Sequence, residues 1–307
     1  MPHDHAHHAH SHARGHASSG RPFAIGIALN SAIVLIEVVY GVLAHSMALL
    51  ADAGHNLGDV LGLVLAGGAT MLARRAPTRQ RTYGYRRITL LSALANGVVL
   101  LLATGAIAWE SVRRLLAPQP VAAGTVIVVA GIAAIINGAS ALLFLRGREH
   151  DLNVKAAFLH LAGDAGIALG VVVASFAVMR TGWLWIDPVT SLLVGALILA
   201  STWSLLRRSM DLVLDAVPGQ IDVGAVHTYL AALPKVSEVH DLHIWAMSTT
   251  ETALTAHLVM PANSSEPCFL GDVCKVLHDR FRIEHATLQI DPQEAPEVCK
   301  LAPDDRI

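Results

Sequence analysis

Two stretches of this chain, His55-Asn56-Leu57-Gly58-Asp59 and His160-Leu161-Ala162-Gly163-Asp164, place an imidazole four residues ahead of a carboxylate inside otherwise apolar sequence. On an α-helix, positions i and i+4 lie one above the other on one face, so each pair aims both side chains at one spot. Two such helices facing each other would supply two neutral His nitrogens and two carboxylate oxygens, a compact tetrahedral set for a borderline divalent ion, zinc first on ligand type. An Asp in the middle of a membrane helix is unfavourable by roughly 2.5–3.5 kcal/mol on insertion scales. Taken singly, either pair also reads as a hydrogen-bonded polar contact inside a bundle. Two matched pairs strain that reading, because the penalty falls on two Asp at once.

Composition says what must carry these pairs. The 307 residues are 53% hydrophobic and 15% charged, against about 25% charged in soluble domains. The depletion is concentrated in the first two thirds, so a membrane part precedes a soluble part. A net charge of -2 says little about partners, but no basic face is evident, so nucleic acid is not an expected partner. Cys268, Cys274 and Cys299 fall in the soluble part without CxxC spacing, which argues against a disulfide framework and a thiolate zinc finger and places that part on a reducing cytosolic face.

Residues 1–20, with His3, His5, His7, His8, His10, His12 and His16 among small and polar residues, read as a disordered cytosolic tail whose imidazoles can capture divalent metal loosely, not as a signal peptide. Residues 21–207 then hold six apolar segments near 22–43, 47–73, 88–110, 122–145, 155–179 and 187–206, each long enough to cross a hydrocarbon core needing about 20 helical residues. Arg74, Arg75, Arg79, Arg81, Arg86 and Arg87 in one connector, Arg146, Arg148 and Lys155 in another, and Arg207 and Arg208 after the last span outweigh Arg113, Arg114 and Arg180 on the opposite side. Both termini are therefore expected in the cytoplasm. That orientation makes the second and fifth spans antiparallel, so the two His…Asp pairs can meet near mid-membrane, and their recurrence hints at an inverted repeat of three spans plus three. Gly54, Gly58 and Gly62 stack on one face and would let a neighbouring helix approach. Asn30, Asn56, Asn96 and Asn137 read as interhelical hydrogen bonders. Asp52, one turn from His55, could line an exit path or accept protons, and Glu37 could face the same cavity.

Residues 208–292 change character. Asp222 precedes a helical pattern over 222–233, strands follow at 238–247 and 252–260, a second helix at 267–281 and a third strand at 285–291. The expected fold class is a membrane all-α six-helix bundle plus a cytosolic α+β ferredoxin-like (αββαβ) domain, closed by a loose tail over 293–307.

The motifs together resemble the cation diffusion facilitator family, its zinc-exporting branch in particular. The resemblance is carried by Asn30 to Gly41 with Glu37, by Ser46-Met-Ala-Leu-Leu-Ala-Asp-Ala-Gly-His-Asn-Leu-Gly-Asp59, by Thr82-Tyr-Gly-Tyr-Arg86, by Asn153-Val-Lys-Ala-Ala-Phe-Leu-His-Leu-Ala-Gly-Asp164, and by Val239-His-Asp-Leu-His-Ile-Trp245 and His285-Ala-Thr-Leu-Gln-Ile-Asp291. It covers about residues 22–292 and implies a homodimeric exporter in the lipid bilayer, exchanging a divalent metal for protons as counter-ion. It implies a transport site at His55, Asp59, His160 and Asp164. Members with Asp in the place of His55 accept cadmium, iron or manganese more readily, so His55 favours Zn2+, with Co2+ or Cd2+ as alternatives. It also implies a cytosolic metal site at His240, His257 and Asp291, with Cys268 near a further ligand position usually held by His. The connector 74–87 lacks the Asp and His of an additional site in some members, and the fourth connector offers only Glu149-His150-Asp151 where many carry a His-rich segment. The N-terminal tail would take that role.

Antiport follows chemically as well, because His binds metal only when neutral and metal binding releases protons. The expectation is an integral membrane protein, not an enzyme, in a bacterial inner membrane. A membrane-tethered zinc sensor and an intramembrane zinc-dependent hydrolase stand as the alternatives, the second disfavoured by four convergent ligands and the lack of an HExxH helix.

Overall fold

A computed structural model describes residues 20–145, 152–261 and 268–293, with side chains from Asn30 onward except at 152, 153 and 156. The seven-His tail, the Glu149-His150-Asp151 connector and the C-terminal tail from 294 lie outside the described residues. The chain forms two compact units, one from the residues up to Val60 and Ala103–Ile198, the other from Leu61–Leu102 and the residues from Leu199 on.

Six long helices come first: α1 (Gly20–Leu43), α2 (Met47–Ala73), α3 (Ile88–Leu116), α4 (Ala123–Phe144), α5 (Leu152–Thr181) and α6 (Ile186–Val213). Five are long and apolar enough to cross a membrane; of α1, the described apolar stretch is the shorter Asn30–Leu43. α2 has the lowest mean hydropathy of the five, 1.4 against 1.9 or more in the others, because it carries Asp52, His55, Asn56 and Asp59. Large apolar side chains such as Leu35, Ile135, Leu143 and Leu193 point outward, as lipid tails allow. α3 and α6 run past the expected span ends; Arg113 and Arg114 pair with Glu110 one turn back at 3.0 and 3.2 Å, which supports the extra turn of α3.

In the first unit, small residues let the helices close. Ala44, Ala48, Leu49, Val126, Val129, Ala130 and Val171 form one buried cluster between the start of α2, α4 and α5, and Ala51, Val194 and Ile198 form another. A Cβ on Gly41 would lie 2.7 Å from Leu50 Cδ2, so the α1–α2 turn, with His45 left-handed at φ 52, leaves no room for a side chain there. Two glycines of α2 face α3: a Cβ on Gly54 would meet Ile107 at 3.1 Å and one on Gly62 would meet Asn96 at 2.9 Å. Glycine spacing names a face and not the neighbour that uses it.

The first turn of α2 is held from far along the chain. Ser46 Oγ accepts from Leu49 N at 3.2 Å, while Asp187 at the start of α6 accepts from Met47 N at 2.7 Å, Ala48 N at 3.4 Å and Ser46 Oγ at 2.5 Å. Free N–H groups at a helix start would otherwise be buried without acceptors, and a carboxylate there also meets the positive end of the helix dipole.

In the second unit, α7 (Val223–Ala231) starts at Asp222, whose side chain accepts from Ala225 N at 3.1 Å. β1 (Glu238–Ala246), β2 (Thr252–Met260), α8 (Phe269–Phe281) and β3 (His285–Pro292) follow. The sheet order is β1-β2-β3, β1 antiparallel and β3 parallel to the central β2; α8 is the crossover a parallel pair requires. Val226, Leu230, Leu242, Ile244, Leu254, Leu258, Val273 and Leu277 form its core. Arg86 pairs with Glu251 at 3.0 Å and Arg87 with Asp215 at 2.8 Å, tying part of the basic connector to this unit.

Replacing Asp187 by Ala is expected to remove about 0.5–2 kcal/mol, the range for a lost helix cap, and to lower the thermal midpoint of the detergent-solubilised protein. An unchanged midpoint would show that the clasp contributes nothing to stability.

Candidate metal centres

α2 and α5 bring the two His…Asp pairs together. His55 Nε2 lies 3.2 Å from Asp164 Oδ1, and His160 Nε2 lies 3.3 Å from Asp59 Oδ2. The contacts within each helix are longer, 4.0 Å for His55–Asp59 and 3.6 Å for His160–Asp164. Imidazole and carboxylate thus alternate round a closed ring, each helix pairing its His with the other helix's Asp. The imidazole rings stand edge to face with centroids 6.2 Å apart. Asp164 is the most enclosed member, its side chain 6% exposed against 48% for His160, so the ring opens on the His160 side. With bonds of about 2.0–2.1 Å, a tetrahedral ion has ligand–ligand edges of about 3.3 Å; the two contacts between helices match this and the two within helices are longer. His55, Asp59 and Asp164 offer ligand atoms that all lie within 4.8 Å of one another, with His160 outside that tighter group.

Asn56, next to His55, donates to Glu37 Oε2 on α1 at 3.1 Å, the interhelical bond expected of it. Asn96 Oδ1 and Asn137 Nδ2 are buried without a hydrogen-bond partner.

The second cluster depends on a β-bulge. β1 and β2 shift register between His240 and His243, and Asp241 inside the shift is left-handed at φ 53, a conformation Asp tolerates better than most residues. The bulge leaves His240 directly opposite His257, their rings 5.0 Å apart. Asp291 on β3 completes the group: His240 Nε2 and His257 Nδ1 lie 3.4 and 3.0 Å from its Oδ2. Donor atoms of the three residues lie within 4.8 Å of one another. Burial pushes the Asp291 carboxyl up, but hydrogen bonds from Gln289 and His257 and the charges of His257 and His240 together outweigh it and hold its pKa below the usual carboxylate range.

Asp241 is the residue that sequence reasoning missed. Its Oδ2 lies 3.7 Å from His257 Nε2 and its Oδ1 3.0 Å from His243; nothing in the alternation of β1 announces the bulge that turns it there. Cys268 stands apart: it is exposed at the N-cap of α8 and lines a hollow with Tyr229, Leu233 and Met260. His278 pairs with Asp279 at 2.8 Å, and His285 meets the Tyr83 ring edge-on at 5.5 Å.

Residues 23–214 match the family described as cation efflux transmembrane domain, and residues 218–293 match the cation efflux protein cytoplasmic domain. The zinc transporter ZitB of Escherichia coli is 35% identical over 93% of both chains. The metal cation efflux system protein CzcD of Cupriavidus metallidurans is 35% identical over 92% of this chain and 89% of its own. A Bacillus velezensis protein named as a cadmium, cobalt and zinc/H(+)-K(+) antiporter is 31% identical over 92% of this chain and 91% of its own. This chain belongs to the cation efflux family, integral membrane proteins that carry out transport and not an enzymatic reaction.

Because the Asp291 pKa is lowered on folding, its ionised form adds stability that is present above the ordinary value of 3.8 and lost as pH falls through the lowered one. In the metal-free protein, Asp291→Asn should melt earlier than wild type at neutral pH, with the gap narrowing once pH drops below that ordinary value. A gap independent of pH would show that the carboxylate charge plays no part.

Proposed function

We propose that the protein exports zinc from the cytosol in exchange for protons, by alternating access of an intramembrane site made of His55, Asp59, His160 and Asp164. The observation that carries this reading is the alternating ring across α2 and α5, whose four edges of 3.2 to 4.0 Å suit a four-coordinate divalent ion. The ligand set also speaks for zinc, which imidazole with carboxylate suits. The names of the relatives point the same way, to zinc in one case and to cadmium, cobalt and zinc against protons and potassium in another; cobalt and cadmium are therefore secondary substrates. Protons return on the same residues, since imidazole and carboxylate can hold either a proton or the metal.

α1 is the sixth span of this membrane domain, 21–207: its 24 helical residues extend about 36 Å, enough for a core of about 30 Å. The bias of Lys and Arg between connectors supports a topology with both termini and the α7–β3 domain, 208–292, in the cytosol of a bacterial inner-membrane exporter. The αββαβ order fits a ferredoxin-like arrangement, and this domain joins two copies into a homodimer. His240, His257 and Asp291, with Asp241 beside them, hold a regulatory zinc ion, and the tail imidazoles gather metal for the transporter.

Zinc uptake into proteoliposomes under an imposed pH gradient tests the reading. Asp59→Ala and Asp164→Ala should each lower flux by more than about 100-fold, beyond the 10–100-fold typical of outer partners of a metal ligand, and His55→Asp should raise cadmium flux relative to zinc. Full flux in either Asp variant would sink the site, and zinc-dependent cleavage without flux would move the protein to a hydrolase.

A further inference from the structure

Beside the ring lies a second polar group for which metal binding has no use. Glu37 on α1 and Asp52 on α2 are fully buried, and Asn56 is 1% exposed. Asp52 and Asn56 are four residues apart on α2, hence on one face, and Asn56 Nδ2 donates to Glu37 Oε2 at 3.1 Å. Four oxygens of this trio, Glu37 Oε1, both of Asp52 and Asn56 Oδ1, are buried and accept no hydrogen bond. The charged groups that act on the two carboxyls, besides each other, are His55 on α2 and Asp164 on α5, and no Lys or Arg is among them.

Charge counting separates this trio from the ring. A divalent ion in the ring is matched by Asp59 and Asp164, which leaves Glu37 and Asp52 as two further carboxyls in an apolar interior. Buried carboxylates without a cation are not tolerated, and two side by side do not both stay ionised unless something positive joins them. The donors are also of the wrong kind for zinc: all are oxygens, which suit a proton or an alkali cation better than a borderline metal.

We propose that Glu37, Asp52 and Asn56 form a counter-cation site, separate from the metal ring, that takes up a monovalent cation, a proton or potassium, as the metal leaves. The site rests on the exchange reading above and deepens it. With a proton, an O–H bond forms on one of the two carboxylates as the ion enters from outside and breaks as it passes to the cytosolic water. With potassium, the oxygens replace part of its hydration shell. In both cases a metal in the neighbouring ring repels the counter-cation, so the two sites fill in alternation, which is what exchange requires.

Wild type, Asp52→Asn, Glu37→Gln and the ring variant Asp59→Ala, each as the full chain, are compared in two assays. In calorimetric zinc titration in detergent, Asp52→Asn and Glu37→Gln should keep an affinity within about fivefold of wild type, the lower edge of ordinary coupling between sites, while Asp59→Ala loses it. In proteoliposomes, wild-type zinc flux should be stimulated by a pH gradient, by a potassium gradient at clamped pH, or by both, and the two variants should lose that stimulation. Loss of the pH effect identifies the proton, and loss of the potassium effect identifies the alkali ion. Stimulation unchanged in both variants overturns the counter-cation site and spares the exchange reading; wild-type flux indifferent to both gradients overturns both. Lost zinc binding in Asp52→Asn or Glu37→Gln would make that carboxyl a metal ligand and likewise overturn the proposal. Infrared difference spectra of the wild type give a reading that needs no variant to fold. With zinc bound, carboxyl bands should respond to pH or potassium only at a higher proton or potassium concentration than in the metal-free protein, and bands indifferent to both, or responding alike with and without zinc, overturn the site.

Discussion

An ionised carboxylate among apolar helices is tolerated where a cation, a proton or a metal stands beside it, and the membrane-spanning helices are arranged round that requirement. Glu37, Asp52, Asp59 and Asp164 all lie in or beside one locus shared by α1, α2 and α5, and the two imidazoles there stand between carboxylates. Nearly everything else on these helices is apolar. The shorter contacts of the ring run between α2 and α5 and not along either helix. Its geometry therefore belongs to the packing of two helices and changes when that packing changes.

The soluble cluster meets the same chemical need with different means. There the backbone is a sheet, so His240 and His257 are opposed by strand register and Asp291 arrives from the parallel neighbour β3. The i,i+4 spacing that defines the membrane ring has no counterpart in a sheet. In its place stands a bulge, with Asp241 held left-handed and a carboxylate turned toward His257.

Features that depend on local spacing were legible in the sequence. The His…Asp pairs, the Asp222 cap and the αββαβ order follow from periods of two or 3.6 residues, and five of the apolar spans from length and composition. Helix and strand ends fall within a few positions of expectation except at the C-terminal ends of α3 and α6, which run on by six and seven residues from the expected 110 and 206 to Leu116 and Val213. Features that depend on which elements meet were not legible. Asp187 reads as an ordinary first-turn acid of α6, and nothing near it in sequence says that it caps α2. The stripe of Gly54 and its neighbours named a face of α2 correctly, but α3 is what fills it at Gly54. Cys268 is the N-cap residue of α8 and is not among the side chains gathered at His240; a one-dimensional match of positions carries no information about which way a cap residue projects.

The Asp187 clasp has a mechanical consequence. A helix whose first turn is tied to a neighbour by three hydrogen bonds can swing about that turn but cannot slide along its axis. His55 sits eight residues after Met47, about 12 Å along α2, so a swing of about 10° at the clasp would carry it sideways by about 2 Å, the length of one metal–nitrogen bond. The clasp thus acts as a fulcrum: a small rotation at one end of α2 is enough to open or close the ring further down, with no change in the helix itself.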